Sequence, residues 1–219
     1  MAGKRSYLDG CAVAHGLDLV GDRWALLVVR ELLLGPKRFT DLRNGLPGAA
    51  PNVIAQRLRE LETAGVVSRR TLGPPAVSKV YELTEWGLEL EPVVIALGRW
   101  GGRSPAMRHD APLSVDALVL ALRALFNPTA ARGLTGRVAL RFGLDAFAAS
   151  VSDGRFHVER ADAAETDATV TADADTVNAL LWGDLDLDEA IAAGTLRVEG
   201  DIALVRRFLT LFPVPTPAG

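Results

Sequence analysis

The sequence predicts an α+β protein in two parts, and three observations carry that prediction. The front half repeats apolar residues at helical spacing through several short segments and breaks that rhythm only for one pair of strand-like runs. The rear half is dominated by alternating, β-branched runs separated by amphipathic stretches. Between them lies "GGRSPAMRHDAP", rich in Gly, Pro and polar residues, as linkers are. The expected division is residues 1–103, a linker over 104–111, and residues 112–219.

Charge divides the chain in the same place. Residues 1–103 hold 14 Lys and Arg against 11 Asp and Glu, while residues 104–219 hold 10 against 16. A mildly basic front and an acidic rear imply different partners for the two parts. The single cysteine excludes an intrachain disulfide and fits a reducing cytoplasm. "MAGKRS" is basic, yet no apolar stretch follows it, so a signal peptide is not expected. No apolar run approaches the roughly 20 residues that span a bilayer. A soluble, cytoplasmic protein without a membrane partner is the expectation.

The front elements follow in order. "CAVAHGLDLVG" reads as a short helix ending near Gly21, and "WALLVVRELLLG" as a second, stopped by Gly35 and Pro36. "TDLRNGL" is a short third helix, with Thr40 or a neighbour as its cap. "PGAA" is a turn, and Pro51 suits the first position of a fourth helix because its missing N–H costs nothing there. In that helix Ile54, Leu58 and Leu61 form one apolar stripe. Asn52, Gln56, Arg59 and Glu60 point away from it, Arg57 lies at its edge, and Gly65 ends the helix. "VVSRRTL", the turn-rich "GPPAVS" and "KVYEL" make a β-hairpin. "TEWGLELEPVVIALGRW" closes the half as a helix capped by Thr84 and kinked or broken at Pro92.

Helix, turn, helix and hairpin in that order make a winged helix-turn-helix. The apolar stripe would anchor the second helix of the pair. Its opposite face would enter the major groove of double-stranded DNA, where Asn52, Gln56, Arg57 and Arg59 can read base edges. Arg69, Arg70 and Lys79 on the hairpin, with Lys37, Arg38 and Arg43 beside the helix pair, would meet phosphates.

Several landmarks occur in sequence order: the early Cys11, the G-D-R-W step, the G-x-x-R-F element, "LRELETAGVV" and "YELTEWG". In combination they make the first 105 or so residues similar to the HxlR-type winged helix-turn-helix regulators. The resemblance implies a bacterial transcription regulator that binds palindromic operators as a homodimer. It places the dimer contact in the first and last helices, here around Cys11–Leu19 and Leu88–Trp100. Leu88, Val93, Val94, Leu97 and Trp100 would suit a partner helix and would equally suit an intrachain core. A two-fold dimer would hold its reading helices about 34 Å apart.

In the rear half "SVDALVLALRALF" is an amphipathic helix capped by Ser114, and "GRVALRFG" alternates with Val138, Leu140 and Phe142 on one face. "FAASVSDGRFHVER" is a hairpin turning at Asp153-Gly154. "DATVTAD" and "TLRVEG" are further strands; "TVNALLWG", "DLDEAIAAG" and "DIALVRRFLTLF" are helices. The expected architecture is an antiparallel sheet with helices on one side. The D-G hairpin, the "DATVTAD" strand and the "GTLRVEGD" segment make residues 112–213 similar to the sterol carrier protein type 2 family. That resemblance implies an apolar tunnel for lipids or other hydrophobic molecules, which Phe142, Phe147, Phe156, Leu180, Trp182 and Phe208 would line. Singly, each reads more simply as core.

Catalytic chemistry is not expected. His15, His109 and His157 are far apart, and no nucleophile elbow, phosphate loop or metalloprotease motif occurs. Cys11 and His15 stand i, i+4, below the usual ligand count for zinc, so neither metal nor cofactor is expected. The leading expectation is a dimeric, sequence-specific DNA-binding regulator and not an enzyme, with a hydrophobic effector in its rear part. The alternatives are a lipid-binding protein whose front part only dimerises, and a regulator switched by oxidation of Cys11.

Overall fold

The computed structural model describes residues 6–73, 78–108, 111–162 and 165–218. The basic start "MAGKR", the hairpin-tip residues 74–77 and His109 lie outside the described residues. The chain divides into two compact units, Met1–Val94 and Ile95–Gly219.

The first unit holds α1 (Ala12–Val20), α2 (Ala25–Leu32), α3 (Phe39–Gly45), α4 (Pro51–Thr63), the hairpin β1 (Val67–Leu72) and β2 (Ser78–Leu83), and α5 (Glu85–Leu88). Pro51 opens α4, and Gly65 takes a φ of +76° just past its end, a conformation that favours glycine. Thr84 caps α5, accepting a hydrogen bond from Gly87 N at 3.0 Å. The start of α3 differs from expectation. Thr40 lies inside the helix, and Asp41 closes the turn by accepting from Arg38 N at 3.1 Å. The break expected at Pro92 falls just before it: α6 (Glu91–Gly101) begins one residue earlier, which puts proline in the first turn, where its missing N–H is harmless.

The core of this unit gathers Val28, Val29, Leu32, Leu42, Ile54, Leu58 and Leu61, all essentially out of water. One charged side chain lies among them. Glu31 is 0% exposed; it accepts from Lys37 Nζ at 2.7 Å and from Arg30 at 2.8 Å. Gly45, at the end of α3, is where the backbone passes this carboxylate. A methyl group there would overlap Glu31 Oε2. Lys37 also bonds through its backbone to Tyr81 on β2, at 2.9 and 2.8 Å. The region of Glu31 therefore fastens α2, α3 and the hairpin together.

The second unit holds α7 (Val115–Leu125), β3 (Gly136–Phe142), β4 (Asp145–Ser152), β5 (Arg155–Arg160), β6 (Ala168–Ala172), α8 (Ala174–Trp182), α9 (Leu187–Ala192), β7 (Leu196–Gly200) and α10 (Ile202–Leu209). Ser114 caps α7 and Asp173 caps α8. Asp153 and Gly154 both take positive φ, 51° and 69°, as a tight two-residue hairpin turn requires. The sheet order is β5-β4-β3-β6-β7. The expectation of a wholly antiparallel sheet needs one correction: β3 and β6 pair in parallel, Val138 opposite Ala168. The reason is topological, since β6 joins the free edge of β3 running in the same direction as β5. One face of the sheet is buried, through Val138, Leu140, Phe147, Ala149, Val158 and Val170. The other is mostly solvated, with Arg137, Arg141, His157 and Glu159 exposed.

An ion pair ties α7 to this sheet. Asp116, in the first turn of α7, is 2% exposed and accepts two hydrogen bonds from Arg160 on β5, at 2.8 and 3.0 Å. Arg160 also meets Asp145 and stacks 4.6 Å over the ring of Phe147. Burial opposes its charge, yet Asp116 and Asp145 hold its pKa above the ordinary arginine value. Arg160→Ala removes the cation paired with a buried carboxylate and is expected to cost about 3 kcal/mol, read as a lower midpoint in urea unfolding. Asp116→Asn with Arg160→Gln should recover part of that loss.

Candidate nucleic-acid interface

The exposed face of α4 follows from how the helix is anchored. Its stripe of Ile54, Leu58 and Leu61 is buried to about 1% exposure or less. The helical period then forces Asn52, Gln56, Arg59 and Thr63 onto a single opposite line, and all four are exposed. Gln56 is steadied by its own helix, donating to Glu60 at 3.0 Å. No side-chain hydrogen bond or ion pair engages Arg59 among the described residues.

Arg57 has a different place. Its side chain is only 14% exposed and forms ion pairs with Asp22, ahead of α2, and with Glu60. It braces α4 against the α1–α2 loop and does not share the exposed line of Asn52, Gln56 and Arg59. Asp22 lies 35 residues away in sequence, so nothing local announces the pairing.

The hairpin cations are also partly engaged. Arg69 contacts Glu62 at 3.2 Å, donates to the hydroxyl of Tyr81 at 3.0 Å, and lies 4.9 Å over that ring. Arg70 pairs with Glu82 at 3.0 Å. The register sets Arg69 opposite Tyr81 and Thr71 opposite Lys79, so Arg69 and Lys79 share one face of the hairpin and Arg70 takes the other. Lys37 is drawn inward to Glu31, with 13% of its side chain exposed. Arg38, Arg43 and Lys79 are exposed, and no ion pair involves them among the described residues.

Apolar side chains are also left on the outside of the helices. Val13 and Leu17 on α1, and Trp86 and Leu88 on α5, are exposed. On α6, Val93, Leu97 and Trp100 stand at i, i+4 and i+7 and are all uncovered, Trp100 to 76%. Near the first of these sets, α1 and α5 border an apolar notch of about 210 Å³ lined by Leu19, Val20, Val66, Trp86 and Leu90. Cys11 is exposed immediately before α1, with its backbone N–H bonded to Asp9 at 2.9 Å. His15 is exposed one turn later, and no metal-ligating cluster forms among the described residues.

In the second unit the expected tunnel residues mostly fill space. Phe142, Phe147 and Phe208 are buried. Phe156 stacks on Phe126 at 5.4 Å and meets Phe212 edge-on at 5.2 Å, while Phe208 meets Phe212 at 5.1 Å. These rings satisfy one another as a packed aromatic cluster. Leu180 is half-buried on α8. Of the six, only Trp182 borders the apolar cavity of this unit. No helix among the described residues is long and apolar enough to cross a membrane.

Comparison with known proteins agrees with this layout. Residues 19–108 match the HxlR-like helix-turn-helix family and residues 122–213 match the SCP-2 sterol transfer family. The HTH-type transcriptional regulator sll1512 of Synechocystis is 40% identical over 93 residues, which is 42% of this chain and 67% of the relative. Among solved structures, the reduced form of the transcriptional regulator YodB from B. subtilis is 32% identical, with a TM-score of 0.40, over 44% of this chain and 95% of that one. The sec-alkylsulfatase Pisa1 from Pseudomonas is 22% identical with a TM-score of 0.46 over 48% of this chain, which spans 17% of that enzyme's length. With its first unit aligned to transcriptional regulators over most of their length, the chain belongs to the HxlR-like helix-turn-helix family, and its residues 122–213 are similar to the SCP-2 sterol transfer family.

Proposed function

We propose that this HxlR-type regulator binds a palindromic operator as a homodimer, with Asn52, Gln56 and Arg59 reading base edges in the major groove. One observation carries the reading: α4 buries its apolar stripe completely and leaves an uninterrupted polar line uncovered. Amide and guanidinium groups on that line suit adenine and guanine edges. Arg38, Arg43, Arg69, Arg70 and Lys79 supply phosphate contacts, and Arg57 sets the pitch of the reading helix from behind. Arg69 and Arg70 would share their cations between phosphate and the acids they already hold.

The exposed stripe Val93, Leu97 and Trp100, with Val13 and Leu17, serves as the dimer contact. Such an apolar row at helical spacing is what a two-fold partner helix covers. The second unit acts as the sensing part: a hydrophobic molecule bound there shifts operator affinity to the extent that it favours one arrangement of the dimer. The chain is in this reading a binding protein and performs no catalysis.

Exposure of Cys11 beside α1 favours a second reading, in which oxidation of the thiol perturbs the dimer.

In gel-shift titrations Arg59→Ala and Gln56→Ala should weaken operator binding by about 1–3 kcal/mol each, roughly five- to 150-fold, and leave binding to random duplex nearly unchanged. Lys79→Ala should weaken both alike and lower the salt slope by about one. Equal losses on operator and random DNA for Gln56→Ala would refute base reading. Leu97→Glu should convert the dimer to monomer in sedimentation velocity and abolish operator binding at concentrations where the wild type saturates. Peroxide should lower operator affinity of the wild type and not of Cys11→Ser; identical responses remove the thiol reading.

A further inference from the structure

Among the described residues, Leu8, Trp24 and Asp153 take positive φ without being glycine. Asp153 sits in a tight hairpin turn, which requires that conformation. Trp24 stands at the entry to α2, with φ +77° and ψ −14°. A large aromatic residue enters this region only where its surroundings impose it, and such positions gather at functional sites. The backbone holds Trp24 from both sides: Ala25 N donates to Asp22 O and Val28 N to Trp24 O, each at 2.9 Å. Ahead of it, Gly21 N donates to Leu17 O at 2.8 Å and ends α1. The connection from α1 to α2 is therefore short and tightly bonded, running from Gly21 to Trp24.

Two side chains of this connection reach α4 and the turn that leads into it. Asp22 forms the ion pair with Arg57, near the middle of α4. Trp24, half-buried, lies against Gly48 in the turn between α3 and α4. A side chain at Gly48 would begin 3.0 Å from Trp24 Cη2, the far rim of the indole. That turn is closed by Ala49 N, which donates to Leu46 O at 3.0 Å. Arg23 covers the indole, its Cζ 5.4 Å from the ring centroid, a cation–π contact.

A rod held at one point can still pivot about it. Asp22 holds the middle of α4 through Arg57, and Trp24 meets the turn just ahead of Pro51, at the leading end. In a helix-turn-helix the leading residues of the second helix contact base edges. Such a contact works only while its geometry is kept to within about 0.5 Å. The buried stripe of Ile54, Leu58 and Leu61 fixes the distance of α4 from the core. What touches the turn sets its tilt. The left-handed backbone at Trp24 sets the direction in which the indole leaves the chain, and that direction meets Gly48.

We infer that Trp24 is a positioning residue for sequence recognition: its indole, wedged against Gly48 and covered by Arg23, sets the leading end of α4 so that Asn52 meets its base pair. The inference rests on the reading of α4 as the helix that enters the major groove. It adds a residue that touches no base and governs how sharply one end of the site is read. Asp22 and Arg57 still hold the middle of α4 when the wedge is lost. The loss therefore acts on the Asn52 end and spares the Arg59 end.

Selection of bound fragments from random duplexes, with the full-length protein and its variants, tests the role. Trp24→Gly suits the backbone and removes the wedge. It should reduce by about tenfold the preference at the base pairs that Asn52→Ala flattens, and leave nearly unchanged the preference at those that Arg59→Ala flattens. Trp24→Phe, which keeps a ring, should recover part of the loss. Gly48→Val presses on the indole from the other side and should disturb the same base pairs, which decides the matter if Trp24→Gly does not fold. Where both fold, the double variant should match Trp24→Gly alone, because the clash has gone with the indole. Destabilisation by itself lowers affinity for every sequence and leaves the profile of preferences unaltered. A wild type that selects a site, with a folded Trp24→Gly or Gly48→Val that selects it with the same profile, overturns the role of Trp24 and leaves the reading of α4 standing. Loss spread evenly over all base pairs also overturns that role. A wild type that selects no site overturns both.

Discussion

A carboxylate removed from water must be met by cations and donors, and each unit of this protein is organised around one such group. Glu31 has no exposed surface and accepts from Lys37 and Arg30. Its cost of desolvation is offset only if those partners stay in place. Lys37 is held by its backbone to Tyr81, and Gly45 leaves the room that the carboxylate occupies. The helix pair and the hairpin are thus set relative to one another around this buried charge. Asp116 does the same for the second unit through Arg160, joining the first turn of α7 to the edge of the sheet.

The consequence for recognition is a division of labour along α4. Arg57 and Arg59 are two residues apart, and the helical period separates them. One is drawn to Asp22 and Glu60, beside the core; the other stands clear of both on the exposed line with Asn52 and Gln56. A rigid reading helix needs both kinds of residue, because a base contact confers specificity only if its own position is fixed. The hairpin repeats the pattern. Arg69 is clamped on Tyr81 and Glu62, while Lys79, on the same face, has no such hold among the described residues.

The second unit illustrates how packing decides where open volume lies. Phe126, Phe156, Phe208 and Phe212 close on one another, the last two buried and the first two half-buried. Rings arranged edge-to-face leave little volume for a guest. The open volume lies instead against α7, α8, the end of α6 and the tail, where glycine and alanine keep the walls apart.

Periodicity, caps and turn residues determined the elements. Pro51, Gly65 and Asp153-Gly154 act through their own backbone, and Thr84 and Ser114 through a hydroxyl that accepts from an N–H three residues on, so their effect is local and could be read in order along the chain. The apolar stripe of α4, and with it the outward line of Asn52, Gln56 and Arg59, follows from the same 3.6-residue period. Tertiary structure alone decided what distant residues share. It turned Arg57 to Asp22, Lys37 to Glu31 and Arg160 to Asp116, set β6 parallel to β3, and brought the phenylalanines into ring contact. Those outcomes depend on which surfaces meet after the chain has folded back over tens of residues, and a pattern read residue by residue carries no record of that meeting.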